Sequence, residues 1–248
     1  MKRRGSGGRH LKRKPAPAFW PIPKKKHVWA VRPVPGPHPI DRCIPLLVII
    51  RDILKLAEVS REARIIIKQG LVKVDGVVRR EPRFPVGLMD VLSLEEANTH
   101  YRILPTHKGL SLHKINNGEA KFKLCRIENK TTVKGGRTQL NLHDGRNILL
   151  SPEEEDVYKT LDVLMIEVPS QTILKHLRIG EGMYAIVIGG KNIGKHGKIL
   201  GIEQVKGEKR RRHGVVLQSP DGEEFRTILD YVFVVGEEEP LISLPSKE

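Results

Sequence analysis

Eight prolines fall between Pro15 and Pro39, so the first forty residues cannot form a helix of useful length. Each proline ring removes a backbone donor and collides with the turn before it. The same stretch holds eleven Lys and Arg and no Asp or Glu. The whole chain carries 44 basic and 29 acidic residues, so most of its formal charge of +15 sits in this arm. A block of one sign repels itself and resists compaction unless a polyanion neutralises it. Phosphate backbones are the commonest polyanion a soluble chain meets. Both tryptophans, Trp20 and Trp29, lie in the arm, with Phe19 beside the first. Rings interleaved with cations suit looped or single-stranded RNA, whose bases stack while Lys and Arg take the phosphates. The expected RNA contacts here are Lys2, Arg3, Arg4, Arg9, Lys12, Arg13, Lys14, Trp20, Lys24, Lys25, Lys26, Trp29 and Arg32. An arm of this composition is expected to be loose alone and ordered on its partner.

Other uses of a basic N-terminus fit less well. A secretory signal needs an apolar core after its basic start, and none occurs between Met1 and Phe19. A mitochondrial presequence is an amphipathic helix, which the prolines forbid. A solvated tail would carry such charges, but two tryptophans argue for packing against something. No run approaches the roughly 18 apolar residues needed to span a bilayer. Cys43 and Cys125 are the only cysteines and form no CxxC pair, which excludes a disulfide framework and fits a reducing cytosol. Hydrophobic residues make up 39% of the chain, enough for folded cores beyond the arm.

From Ile44 the pattern changes. Pro45 suits a first helical position, and Leu46, Ile49, Ile50, Ile53, Leu54 and Ala57 recur at helical spacing. Ser60 is a candidate N-cap for a second helix that Gly70 closes. On that helix Ala63, Ile66 and Ile67 face one way, while Arg61, Arg64 and Lys68 share another side. Val72-Lys73-Val74, Asp75-Gly76 and Val77-Val78 then spell a hairpin, because Asp-Gly accepts the left-handed turn conformation. Cations on a rigid helix, with Lys73 on the adjoining strand, form a fixed grid of donors for a folded phosphate path. The run from Ser60 to Arg64, then Lys68-Gln69-Gly70, then Val72 to Gly76, resembles the S4 RNA-binding domain. That resemblance implies RNA contacts from Ser60, Arg61, Arg64, Lys68, Gln69, Lys73, Asp75 and Gly76.

Two nucleotide motifs are near misses. Gly189 to His196 reads GxxxxGK but places His where a P-loop needs a hydroxyl for magnesium, and Lys198-Ile199-Leu200 continues as a strand, not a helix. Gly180 to Ala185 has the spacing of a dinucleotide turn, yet Tyr184 to Ile188 is also a β run. Together the two pieces read as strand, glycine-rich turn and strand, which resembles the KOW motif of small β-barrels. The later barrel strands are expected at Val215 to Leu217, Phe225-Arg226 and Val232 to Val235. Lys191, Asn192 and Lys195 on the turn, and Arg210, Arg211 and Arg212 in a basic loop, are further RNA candidates.

Asp90 to Leu94 reads as a closing strand, and Tyr101 to Leu174 gives β signals punctuated at Lys108-Gly109, Asn117-Gly118, Gly135-Gly136 and Asp144-Gly145. His107, His113 and His143 are expected as isolated surface histidines. No nucleophile elbow, HExxH or paired-carboxylate motif occurs, so no catalytic residue and no metal ligand is assigned. Arm, S4-type module, β middle and KOW-like barrel in this order resemble the S4e family of small-subunit ribosomal proteins. His10 to Arg13, Arg32-Pro33, Gly36-Pro37-His38, Gly87 to Val91, Glu119 to Cys125 and Ile242 to Pro245 carry that likeness. The resemblance implies a multidomain α+β chain divided at 1–42 (arm), 43–105 (S4-type), 106–175 (β-rich) and 176–248 (KOW-type β-barrel). It implies a structural role in the cytoplasmic ribosome, with small-subunit rRNA and neighbouring ribosomal proteins as partners. No enzyme activity, cofactor, membrane or small-molecule substrate is implied, and the chain would act as a monomer. Without the extra basic C-terminal tail of the eukaryotic members of that family, the resemblance implies an archaeal source.

Overall fold

The computed structural model describes residues 10–23, 25, 28–151, 157–203 and 209–245. The fold is β-rich with few helices. Strands β1 (Leu11–Lys12) and β2 (Trp29–Ala30) pair as a short antiparallel ribbon in the arm. Strand β3 (Cys43–Pro45) leads into a helical turn, α1 (Leu46–Val48), which widens into a π-helical segment over Ile49–Ile53. There the Leu54 N–H donates to Ile49 O at 2.9 Å, a five-residue step. The predicted two-sided helix is thus short and has no polar face over Leu46–Ile50, all at most 1% exposed. The residues that surround it include Trp20 and Ile22 of the arm, Ala63 and Ile67 of the second helix, and Val72 and Leu92 of the adjoining sheet. A helix covered on every side is apolar on every side.

Helix α2 (Ser60–Gln69) follows and ends at Gly70, whose φ of +87° needs a residue without Cβ. The next strands are β4 (Val72–Val74), β5 (Val77–Val78), β6 (Pro85–Gly87), β7 (Val91–Leu94), β8 (Thr99–Thr106) and β9 (Gly109–Ile115). Strand β6 pairs with β3, and the others form a sheet in the order β5-β4-β7-β8-β9. Asp75 and Gly76 have φ of 50° and 73°, the two left-handed turn residues of the predicted hairpin. Strand β7 does not close the sheet, because β8 and β9 extend it through Ile115 in continuous register, across position 105.

The second sheet is built from β10 (Phe122–Thr132), β11 (Thr138–Leu142), β12 (Asn147–Leu149), β13 (Val163–Glu167) and β14 (Ile173–Leu177), in the order β12-β11-β10-β13-β14. Its turns fall at Gly135-Gly136 and Asp144-Gly145, as the glycines predict. The third comprises β15 (Tyr184–Val187), β16 (His196–Glu203), β17 (Gly214–Gln218), β18 (Glu224–Ile228) and β19 (Val232–Gly236). All three later strands stand where the β-branched runs place them. Their order is β18-β17-β16-β15-β19, and the outer strands β18 and β19 do not pair with each other. The predicted closed barrel is therefore an open, bulged five-stranded sheet among the described residues. After the 3-10 turn Leu229–Tyr231 the chain pairs with β15 instead.

Candidate nucleic-acid interface

The arm is bound to the fold from its first described residues. Arg13 is buried and clamps Ile22 O through Nε at 2.9 Å and Nη2 at 2.7 Å. Trp20 is 2% exposed, sits in the first core and donates its indole N–H to Cys43 O at 2.7 Å. These two residues, predicted as RNA contacts, are corrected to structural roles. The ring of His38 covers the α-carbon of Gly87, where a Cβ would lie 2.3 Å from it. Trp29, by contrast, is 55% exposed on the ribbon, with Lys12 Nζ 5.9 Å from its ring centroid and the His10 ring at 5.2 Å. Exposed Lys14 and Lys25 and half-buried Arg32 complete what is described there. Lys2, Arg3, Arg4, Arg9, Lys24 and Lys26 lie outside the described residues.

Helix α2 presents its cations as the 3.6-residue repeat requires. Arg61, Arg64, Lys68 and Gln69 are exposed, and the three cations make no ion pair or side-chain hydrogen bond with described residues. Ala63 and Ile67 anchor the opposite side in the core. Glu62 Oε2 accepts the Glu58 and Val59 N–H groups, so the helix starts one residue before the predicted cap. Ser60 Oγ instead accepts from Arg51 Nη1 at 2.6 Å. Lys73 is paired with Glu95. Asp75 is buried and accepts the Val91 N–H at 2.9 Å, and a Cβ on Gly76 would stand 3.1 Å from Pro169. Asp75 thus turns into the protein and is corrected from an RNA contact to a buried acid, whereas Gly76 beside it is exposed.

On the C-terminal sheet the glycine-rich turn lies against protein backbone. A Cβ on Gly194 (φ +85°) would meet Thr106 Cα at 2.8 Å, so only glycine lets this turn seat on the β8–β9 tip. Asn192 donates to Arg226 O at 3.0 Å, and Arg211 pairs with Glu128 and Asp230, each at 3.0 Å. Asn192 and Arg211 are thus held by protein partners, whereas Lys191, Lys195, Arg210 and Arg212 are exposed.

A buried charge cluster, which the sequence does not announce, joins the parts of the chain. Lys123 on β10 is 1% exposed, with Nζ 2.8 Å from Asp75, 2.5 Å from Asp90 and 2.8 Å from Asp144. Arg146 adds contacts to Asp75 (2.7 Å) and Asp144 (3.3 Å), and His38 meets Asp90 at 3.0 Å. Burial disfavours the ammonium of Lys123, but Asp75, Asp90 and Asp144 hold its pKa well above the ordinary value. Burial likewise opposes ionisation of Asp90, yet Lys123 and His38 bring its pKa well below the carboxylate range. For Asp144 the same balance, led after burial by Lys123, gives about 2. Two of the acids open Asp-Gly turns, a context in which aspartate normally points to water. That disguise conceals them in the sequence, and a Lys within the apolar run Phe122 to Cys125 is the signal that could have exposed them.

His143, expected on the surface, accepts the Arg126 N–H at 3.2 Å and donates to Leu88 O at 3.1 Å. Burial and then Lys123 lower its pKa from 6.5 to about 4, so it is neutral in the fold at pH 7. Because the unfolded imidazole protonates more readily, stability from this group is full above about pH 6.5 and falls towards pH 4. Asp90 and Asp144 add a second loss below about pH 4, where unfolded carboxylates take up protons first. Melting temperature against pH is expected to fall in these two steps, and His143→Asn to remove the upper one. A single step below pH 4 in the unsubstituted protein would refute the assignment.

The S4 domain matches residues 45–92, the RS4NT (NUC023) domain residues 6–41, and Ribosomal family S4e residues 97–173. The chain is 51% identical to small ribosomal subunit protein eS4 of Staphylothermus marinus, covering 98% of both chains. It is 51% identical to the protein of that name from Methanocaldococcus jannaschii, over 95% of this chain and 97% of the relative. The crystal structure of 30S ribosomal protein S4e from Thermoplasma acidophilum superposes with a TM-score of 0.67 at 35% identity, covering 79% of this chain and 96% of that one. With an S4 domain in its first half and such relatives along its length, the chain belongs to ribosomal family S4e, small-subunit ribosomal proteins and not enzymes.

Proposed function

We infer that this chain is a structural constituent of the small ribosomal subunit that binds rRNA and supports subunit assembly. The observation that carries this reading is the α2 face, where Arg61, Arg64 and Lys68 stand exposed and unpaired on a helix anchored by Ala63 and Ile67. A fixed cationic row recognises the position of phosphates on folded RNA without reading bases. Trp29 with Lys12, Lys14, Lys25 and Arg32 forms a second contact, in which a ring stacks on a base between phosphate-binding cations. Lys191, Lys195, Arg210 and Arg212 supply counter-charge from the third sheet. In functional units, the arm (1–42) and the S4-type unit carry the main RNA contacts. The second sheet, whose last strand β14 runs to Leu177 and so across the expected boundary at 175, joins them to the C-terminal unit. The partners are small-subunit rRNA and adjacent ribosomal proteins in the cytoplasmic ribosome.

Replacing Arg61, Arg64 and Lys68 together by Ala is expected to flatten the logarithmic salt dependence of rRNA binding by about 2 to 3, at roughly 0.7–0.9 per lost phosphate contact. Filter binding to small-subunit rRNA from 50 to 400 mM salt measures this. An unchanged slope would remove α2 from the interface. In gradient-fractionated lysate the chain is expected to sediment with the small subunit at moderately high salt. Free protein there would overturn the structural role.

A further inference from the structure

A cavity of about 480 Å³ opens where the arm and all three large sheets meet. That volume lies in the range of small-molecule sites, larger than packing voids. Its apolar wall is made by Phe19, Leu110, Ile188, Ile193, Tyr231 and Phe233. Two of the aromatic residues lie close over glycine backbone. The Tyr231 ring lies on Gly189 and Gly190, where added Cβ atoms would come within 2.8 and 3.0 Å, and Phe19 lies on Gly109, where a Cβ would be 2.2 Å away. Their places therefore exist before any ligand arrives.

The polar groups of the lining are largely committed to one another. Arg126 gives Nε and Nη2 to Glu128 and Nη1 to the carbonyls of Asp230 and Val232. The carboxylates of Glu128 and Asp230 also bind Arg211, and burial is outweighed by these arginines in keeping Glu128 ionised. His143 uses both ring nitrogens internally. Asp41 and Arg42 also line the cavity, and both are exposed. The Arg42 guanidinium has no side-chain hydrogen bond or ion pair among the described residues. Lys108, Lys191 and Lys195 are exposed in the two turns that supply Gly109 and Ile193.

The geometry points to an unpaired nucleobase of rRNA as the occupant, extruded from its helix and stacked among these rings with its phosphate towards Arg42. This rests on the rRNA-binding function proposed above and adds a site away from the α2 face. Aromatic rings in an otherwise satisfied apolar pocket match a base's π-face, while the Arg42 guanidinium, beside Asp41 at the mouth, matches its phosphate. A peptide side chain would fill the same wall but would leave Arg42 without an anion. Because the lining offers few uncommitted donors and acceptors, it stacks a base without strongly reading its edge.

The test uses the full chain and the four nucleoside 5′-monophosphates, followed by amide NMR. Saturable shifts at Gly109, Leu110 and Gly189 are expected from AMP or GMP, with the four monophosphates within roughly ten-fold of one another. Arg42→Ala, at an exposed unpaired side chain, should keep the melting temperature and weaken AMP several-fold. Ile193→Trp, which fills the wall, should abolish the shifts. Ribose 5-phosphate giving the same shifts, an apolar capped peptide displacing AMP, or no shifts at all would overturn the base pocket. Small-subunit rRNA affinity is measured on the same samples. rRNA binding without AMP shifts refutes the pocket alone, and AMP shifts without rRNA binding keep a base pocket but refute the rRNA function and rRNA as the source of its base.

Discussion

Replacing Lys123 by methionine is expected to lower the stability of the fold by about 3–5 kcal/mol, the loss typical of breaking a buried ion pair from one side. Its ammonium touches three carboxylates at 2.5–2.8 Å, and their acids are themselves 1–5% exposed. Without it Asp75, Asp90 and Asp144 retain only Arg146 and His38 as opposing groups, and part of their charge must be neutralised by protons or water. The loss should grow with pH between about 4 and 7, because the unpaired acids then ionise against their burial. Denaturant midpoints for Lys123→Met, alone and with Asp90→Asn, give the measurement. The double variant should lose less than the sum of the single losses, since each removes what the other leaves unpaired. A loss under 1 kcal/mol would mean that the cluster is hydrated.

The two tryptophans should separate stability from binding. Trp20→Ala is expected to cost about 3–5 kcal/mol of folding stability, as for other large-to-small core changes. The change opens a cavity in the first core, and Cys43 O loses the indole donor. Trp29→Ala should leave the melting temperature within a few degrees, because that ring is 55% exposed. It should instead weaken rRNA binding by about 1–3 kcal/mol, the range for one stacked base. Thermal melts and filter binding on both variants form a crossed test. If Trp29→Ala bound rRNA normally, the ribbon would not be a stacking platform.

That contrast shows how much of the molecule was legible in the chain. Local rules placed the Asp75-Gly76 hairpin, the Gly70 stop and the three late strands, because turn chemistry and β-branched runs act over a few residues. The α2 cations were legible for the same reason, since helical spacing alone puts Arg61, Arg64 and Lys68 together. Charge count could not separate Arg13 from Lys12, because neighbouring side chains along an extended segment point to opposite sides, and aromatic content alone could not separate Trp20 from Trp29. Only the tertiary partner decides which side is buried. Asp75 and Asp144 were misleading for a related reason. Both occupy turn positions that usually face solvent, and a lysine distant in sequence draws them inside.

The placement of Lys123 also orders events during synthesis. The fully buried members of the first core lie between Ala16 and Ile103, so its hydrophobic residues have all been made before Lys123 emerges. Until then Asp75 and Asp90 must keep their hydration, and the interface they face cannot close. A nascent chain therefore carries a nearly finished S4-type unit with an acidic flank on which His38 meets Asp90 only, until Lys123 of strand β10 and then Arg146 arrive to neutralise the rest. Vectorial growth thus makes docking of the second sheet the step that dehydrates the first.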